Sequence, residues 1–309
     1  MSMKRRDFLK KGLGAGLLAG AFFKVNGAGT LAGVNKANPS KPFDLVAVMG
    51  GEPAQMFDKA IAAMGGIGKF VKAGQTVVVK PNIGWDTPEE LGANTNPGLV
   101  ARIVEQCLKA GAKDVFVFDN TCDTWNRCYA NSGIEDAVKN AGGRMVPGNT
   151  ENYYKSVSIP NGKRLKEAKV HELILNSDVF INVPVLKHHS SAKITICLKN
   201  LMGVVWDRRY WHRNDLHQCI ADFGTWRKPD LNIVDAYRVM TRNGPRGVSQ
   251  ADLVMKRSLI ISTDMVAADA AASRIFGEEP SEIGHIKIAH EMGVGNMNLD
   301  ELNIERLRV

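Results

Sequence analysis

Lys187, His188 and His189 close the apolar run "DVFINVPVLKHH", and Lys199 and Asn200 follow inside the equally apolar "ITICLKNLMGVV". Amines and imidazoles this close together in core-like sequence can neutralise an anion, transfer a proton or help ligate a metal. The same kind of break recurs along the chain. Lys80, Pro81 and Asn82 stop "QTVVVKPN", Asp119 and Asn120 stop "KDVFVFDN", Asp235 stops "PDLNIVDA", and Asp264 stops "KRSLIISTD". Each alone reads as an ordinary turn residue. If the strands are parallel neighbours, all five charged ends converge on one rim, where open α/β sheets bind ligands. Lys80, Asn82, Lys187, Lys199, Asn200 and Arg208 are therefore the candidate ligand-binding residues, for a small carboxylate or phosphate. His188, His189, Asp119 and Asp235 are the candidate acid–base groups, and Asp264 and Asp269 the candidate ligands of a divalent metal. His188 and His189 are adjacent, so an extended backbone turns at most one of them to the ligand. The competing reading is a structural ion-pair network, with the lysines paired to Asp119, Asp235 or Asp264.

Strand-like and helix-like segments alternate from residue 44 onward. "DLVAVMG", "QTVVVKPN" and "KDVFVFDN" read as strands, and "QTVVVKPN" is a continuous apolar run of the kind buried on both faces. "PAQMFDKAIAAMGG", "NPGLVARIVEQCLKAGA" and "SGIEDAVKNAGG" read as helices, the second with Asn96 as N-cap and Pro97 in its first turn. Further on come a short strand "KSVSIP", a short helix over about 166–176, and the strand "DVFINVPVLK". A helix capped by Ser190 or Ser191 then runs to about Gly203 and carries Lys199 roughly 12 Å along its axis. "PDLNIVDA" and "KRSLIISTD" are strands, "MVAADAAASRIFG" is a helix, and a last helix covers about 282–292. This order predicts a Rossmann-like α/β fold, an open, mostly parallel sheet with helices on both faces. Segment 205–228, with Trp206, Arg208, Arg209 and Trp211, reads as an irregular flap. It would close over an anionic or planar ligand, or form a homodimer contact. Residues 40–309 read as a single domain.

The net charge of +8 is concentrated at the start of the chain, where residues 1–27 carry +5. No basic run or aromatic-studded basic stripe follows, so no nucleic-acid partner is expected. "KRRDFLKKGLGAGLLAGAFF" places Arg5 and Arg6 before a glycine-rich apolar run from Gly12 to Phe23, too short to span a bilayer comfortably. The pattern resembles twin-arginine export signals. Residues 1–39 are accordingly expected to be a signal peptide and linker, the translocase a partner, and the periplasm the destination. Five cysteines with no C-x-x-C exclude a disulfide framework. Cys122 and Cys128 could pair, and an iron–sulfur cluster on Cys122, Cys128, Cys197 and Cys219 has no supporting spacing.

"VVVKPNIG", "NTNPGLVARIVEQCLKAGAKDVFVFDN", "INVPVLKHHSSAKITICLKNLMGVV", "LNIVDAYRVMTRNGPRG" and "STDMVAADAAASRIFG" follow one another in the order of a known family. Over about residues 45–295 the chain resembles the family known as domain of unknown function 362. The lysine–histidine and lysine–asparagine core and the Asp-x-x-x-x-Asp element, Asp264 and Asp269, carry the likeness. Some relatives add a ferredoxin-like C-x-x-C-x-x-C insert, which this sequence lacks. The resemblance implies fold and site position and leaves the chemistry open. Two functions are expected. One is an exported protein that binds a small anion and acts on it by acid–base or metal-assisted chemistry. The other is a non-catalytic periplasmic binding or accessory protein for anaerobic redox metabolism, with an electron-transfer protein a distant third.

Overall fold

Runs of Val, Ile and Phe without polar interruption become strands because both faces of a central strand are covered. In the computed structural model, residues 41–309 are described, so the signal peptide and linker expected over 1–39 lie outside the described residues. The strands are β1 (Leu45–Met49), β2 (Thr76–Pro81), β3 (Asp114–Val117), β4 (Arg144–Met145), β5 (Tyr154–Ser158), β6 (Glu167–His171), β7 (Val179–Val183), β8 (Val185–His189), β9 (Lys193–Thr195), β10 (Leu231–Met240), β11 (Leu253–Ser262) and β12 (Ile304–Arg308). The main sheet runs β12-β1-β11-β10-β7-β2-β3-β4, and β8 continues β7 past Pro184 along β10 with β9 paired to it. It is mostly parallel. β11 is the main exception, antiparallel to both β1 and β10.

The helices are α1 (Pro53–Ala63), α2 (Pro97–Lys109), α3 (Trp125–Asn131), α4 (Ile134–Asn140), α5 (Glu172–Asn176), α6 (Cys197–Asn200), α7 (Arg208–Arg213), α8 (Leu216–Gly224), α9 (Met265–Phe276) and α10 (Gly284–Glu291). Period-two alternation along the strands divides the core in two. Val78, Phe180, Val234 and Ile260 pack with residues of α6, α8 and α9, whereas Val77, Val79, Ile181 and Ile233 pack with residues of α1, α2 and α4. The mostly parallel α/β fold expected from the alternating pattern is present. α2 begins as its sequence indicates, with the Asn96 side chain accepting a hydrogen bond from Leu99 N at 2.9 Å and Pro97 in the first turn.

Three segments depart from expectation. Residues 167–171 form β6, paired antiparallel with β5 so that Ala168 faces Val157, and only 172–176 are helical. The stretch after His189 is a β-hairpin, with Lys187 paired to Thr195 and His189 to Lys193, and with Ala192 and Ile194 buried on either side of the exposed Lys193. Ser190 and Ser191 therefore cap no helix, and α6 starts only at Cys197. The expected flap over 205–228 divides in two. α8 lies in the core through Cys219, Ile220, Ala221 and Phe223, and the buried Asp222 carboxylate accepts hydrogen bonds from the backbone N–H groups of Lys163, Arg164 and Leu165. Only α7 and the turn before it remain as a cover.

Candidate functional site

A row of polar side chains crosses the buried sheet. Strand register places Lys80 of β2 beside Asn182 of β7, Asn182 beside Asn232 of β10, and Asn232 beside Ser262 of β11. All four residues are fully buried. Neighbours in register share a face, so one row of four strands turns hydrogen-bonding groups towards α6 and α9. Asn182 Nδ2 donates to Asn232 Oδ1 at 3.0 Å and Asn200 Nδ2 to Asn182 Oδ1 at 2.8 Å. Asn200 Oδ1 accepts from Lys80 Nζ and from Asn82 Nδ2, each at 3.0 Å. The Asn200 side chain thus ties α6 to β7 and to β2 with the residue just past its end, and its hydrogen-bonding capacity is used internally.

Lys80 belongs to this sealed network. Its ammonium donates to Pro81 O at 2.6 Å and meets Asp119 Oδ1 at 2.8 Å, an ion pair by distance whose angle falls outside a hydrogen bond. Burial lowers the Lys80 pKa, and the Asp119 charge opposes that shift. The other Asp119 oxygen accepts from Ile83 N at 2.7 Å. Gly203 lies directly on the pair. A Cβ there would stand 1.9 Å from Asp119 Oδ1 and 2.5 Å from Lys80 Nζ, so this position admits no side chain.

Lys187 and Lys199 are held differently. Lys187 Nζ donates to Asn82 Oδ1 at 3.0 Å and to the Ala93 carbonyl, and has no carboxylate partner among the described residues. The Lys199 ammonium, on a residue only 8% exposed, meets the Met202 thioether at 3.5 Å and, among the described residues, no oxygen. Burial pulls Lys187 down to about 7, helped by the Lys199 charge, and pulls Lys199 down to about 8, helped by Arg208. Around Lys199 stand neutral imidazoles. His189, stacked on His212 at 6.1 Å between ring centroids, is driven down to about 2 by burial first and by the Lys199 charge next. His212 is lowered by the same causes in the same order. Arg208 closes the cover by donating to Asn120 O at 2.6 Å and Thr121 O at 2.7 Å. A groove of about 1070 Å³ adjoins this cover, lined by Asn120, Arg164, Lys166, Lys169, Trp206 and Arg208 among others.

Lys80, Asn82, Asp119, Lys187, Lys199, Asn200 and Arg208 therefore come together, but the five strand ends do not share one rim. β11 runs antiparallel, which carries Asp264 to the opposite edge, where it caps α9 through Val266 N at 2.8 Å and Ala267 N at 3.1 Å and also accepts from Asn296 N. Asp269 caps α6, accepting from Cys197 N at 2.6 Å and Leu198 N at 3.0 Å, and burial pushes it up to about 7. Backbone N–H groups thus occupy both expected metal-binding carboxylates. Among the described residues no group of three or more His, Cys, Asp or Glu is placed to hold a metal.

Asp235 lies inside β10 and not at its end, and it shares the face of Ile233, which turns it towards the layer of α1, α2 and α4. Its carboxylate accepts from Asn96 N at the start of α2 and from Tyr237 N, and burial raises it to about 6. Each neighbouring histidine spends its Nδ1 on a backbone N–H, His188 on Gly244 and His189 on Ser191. That fixes the Nε2–H tautomer and leaves no histidine–carboxylate pair among the expected acid–base residues. Cys122 and Cys128 are both free. Cys122 is exposed, whereas Cys107, Cys128, Cys197 and Cys219 are buried, and no four of them gather for a cluster.

The expectation missed Asn182, Asn232, Ser262 and Gly203. The first two carried a signal, a lone asparagine inside each of the buried runs "VFINV" and "LNIV".

A sheet of this topology with a lysine–asparagine centre defines a class, and the comparison with family models names it. The chain belongs to the family described as Domain of unknown function (DUF362), whose model matches residues 77–274. A thylakoid-associated protein of Synechocystis sp. is 27% identical over 241 residues, 75% of this chain and 72% of that protein. The lactate racemase apoprotein of Thermoanaerobacterium thermosaccharolyticum aligns with 78% of this chain at 13% identity and a TM-score of 0.48. This chain spans 58% of the racemase's length.

Proposed function

We propose that the chain binds a small anion, a carboxylate or a phosphate, between Lys187 and Lys199 under the α7 cover. One observation carries the reading: among the described residues the buried Lys199 ammonium has no oxygen partner, and the second buried lysine, Lys187, has no acid. Buried charge in low dielectric needs a counter-charge, and Asp119 is already engaged by Lys80. Asn82, which accepts from Lys187, completes the polar wall. Lys80 and Asn200 act as its foundation and Arg208 as the clasp of the cover.

Binding is favoured over proton-transfer catalysis, because His188, His189 and Asp235 are engaged elsewhere. The protein is then an exported binding or accessory protein. Its export rests on Arg5 and Arg6, and fractionation of a strain carrying Arg5→Lys with Arg6→Lys checks it, since the doubly substituted chain should stay in the cytoplasm. Among the described residues no helix is long and apolar enough to cross a membrane. Titration calorimetry with inorganic phosphate and with malonate tests the site. Saturable binding of at least one anion is expected, weakened at least tenfold by Lys199→Met. Absence of heat with both anions contradicts the proposal.

A further inference from the structure

Cys122 has no role in the sealed network, yet it stands at the edge of the lysine pair. Its backbone N–H donates to Gly84 O at 2.8 Å, and the loop that carries it is clasped by Arg208 through Asn120 and Thr121. A Cβ built on Gly84 would make ordinary van der Waals contact with two atoms, Asn82 Oδ1 at 3.5 Å and Cys122 Sγ at 3.9 Å. The sulfur therefore lies on the same side of Gly84 as the oxygen that accepts from Lys187. Cys122 also stands within electrostatic reach of Lys80, Lys187 and Lys199. The neighbouring Asp123 does not offset them, since Arg246 holds its carboxylate at 2.9 Å. An exposed thiol thus lies within electrostatic reach of a buried ammonium, that of Lys199, which has no oxygen partner among the described residues.

We propose that Cys122 is a nucleophilic thiol addressed by small anionic disulfides, whose carboxylates are gathered by Lys187 and Lys199. This rests on the anion-binding reading above and adds a covalent outcome to it. The Cys122 sulfur, as thiolate, attacks one sulfur of the disulfide. A new S–S bond forms to Cys122, the old one breaks, and the departing half leaves as a thiolate with the electron pair. Cys122 is oxidised and the departing half reduced, while the Cys122 proton passes to solvent, so no other oxidant is needed.

Glutathione disulfide and cystamine test it, because they offer the same exchange chemistry with anionic and cationic arms. Intact mass and peptide mapping on the full chain read the rate of mixed-disulfide formation at Cys122. In the native chain the ratio of the glutathione disulfide rate to the cystamine rate should exceed the ratio in the urea-unfolded chain at least tenfold. Inorganic phosphate should slow the glutathione reaction, and Lys187→Met with Lys199→Met should abolish the preference. Should that double variant fail to fold, salt titration of the unsubstituted chain gives the same reading, since the preference must shrink as ionic strength rises. Equal native and unfolded ratios, or a preference indifferent to both salt and phosphate, overturn the proposal. If calorimetry still shows phosphate binding in that case, the thiol proposal fails alone. If it does not, the anion site fails with it.

Discussion

Lys80 and Lys199 are both buried lysines within one polar cluster, and the chain treats them in opposite ways. Lys80 has an acid at 2.8 Å, a backbone carbonyl and an asparagine oxygen, with Gly203 stripped of a side chain to make room. Lys199 has a thioether. A buried cation with a full set of partners is part of the fold. One without them is either a liability or one half of an interaction whose other half arrives from solution. The contrast separates scaffold from site within a cluster whose residue types alone look uniform.

The same substitution at the two positions should break this comparison open. Lys80→Met leaves the Asp119 carboxylate buried and unpaired, and should cost about 3–5 kcal/mol in urea unfolding. Gly203→Ala should be comparably damaging, since its Cβ falls onto Asp119 Oδ1 and backbone cannot easily retreat. Asp269→Asn comes next. It exchanges one accepting oxygen at the start of α6 for a donor facing a backbone N–H, a loss of about 1.5–3 kcal/mol. α6 would shift, and with it both Lys199 and Asn200.

A pH series sharpens the contrast without mutating the scaffold. Lys187 and Lys199 have folded-state values of about 7 and about 8, below the ordinary lysine value of 10.5. A depressed lysine contributes stability that is present above its unfolded value and lost as pH falls through the folded one. The ligand-free protein should therefore lose stability from these two groups between about pH 10.5 and 7. Lys187→Met with Lys199→Met should lose less over that window, and saturating phosphate should flatten the slope by holding both amines protonated. Equal slopes in the two proteins would remove the under-satisfied pair from the account. The smallest loss is expected at Lys199→Met alone without ligand, which should be no less stable than the parent at neutral pH, because an unpaired buried amine is exchanged for an apolar chain of similar length.

The alternating elements and the caps of α2 were legible in the sequence because they depend on local periodicity and on single residues such as Asn96 and Pro97. The meeting of Lys80, Asp119 and Lys187 was legible because polar residues at the ends of buried runs have few other places to go. Strand direction was not. "KRSLIISTD" reads the same whether β11 runs parallel or antiparallel, and that choice moved Asp264 to the far edge. Nor could spacing reveal that Asp269, distant in sequence, caps α6, since that bond depends on how α9 packs across the sheet. The hairpin after His189 was misread because "SSAK" looks like a helix start, while the pairing of Lys187 with Thr195 and of His189 with Lys193 makes it a strand. Asn182 and Asn232 were passed over as minor interruptions, although a lone amide in a fully buried strand must find partners.

The distinction between scaffold lysine and site lysine is tested most directly by thermal unfolding of the parent chain, Lys80→Met and Lys199→Met, each with and without inorganic phosphate. The account predicts that Lys80→Met melts far below the parent. Lys199→Met should melt at or above the parent and lose the rise in melting temperature that phosphate gives the parent. A phosphate-dependent rise that survives intact in Lys199→Met would contradict it.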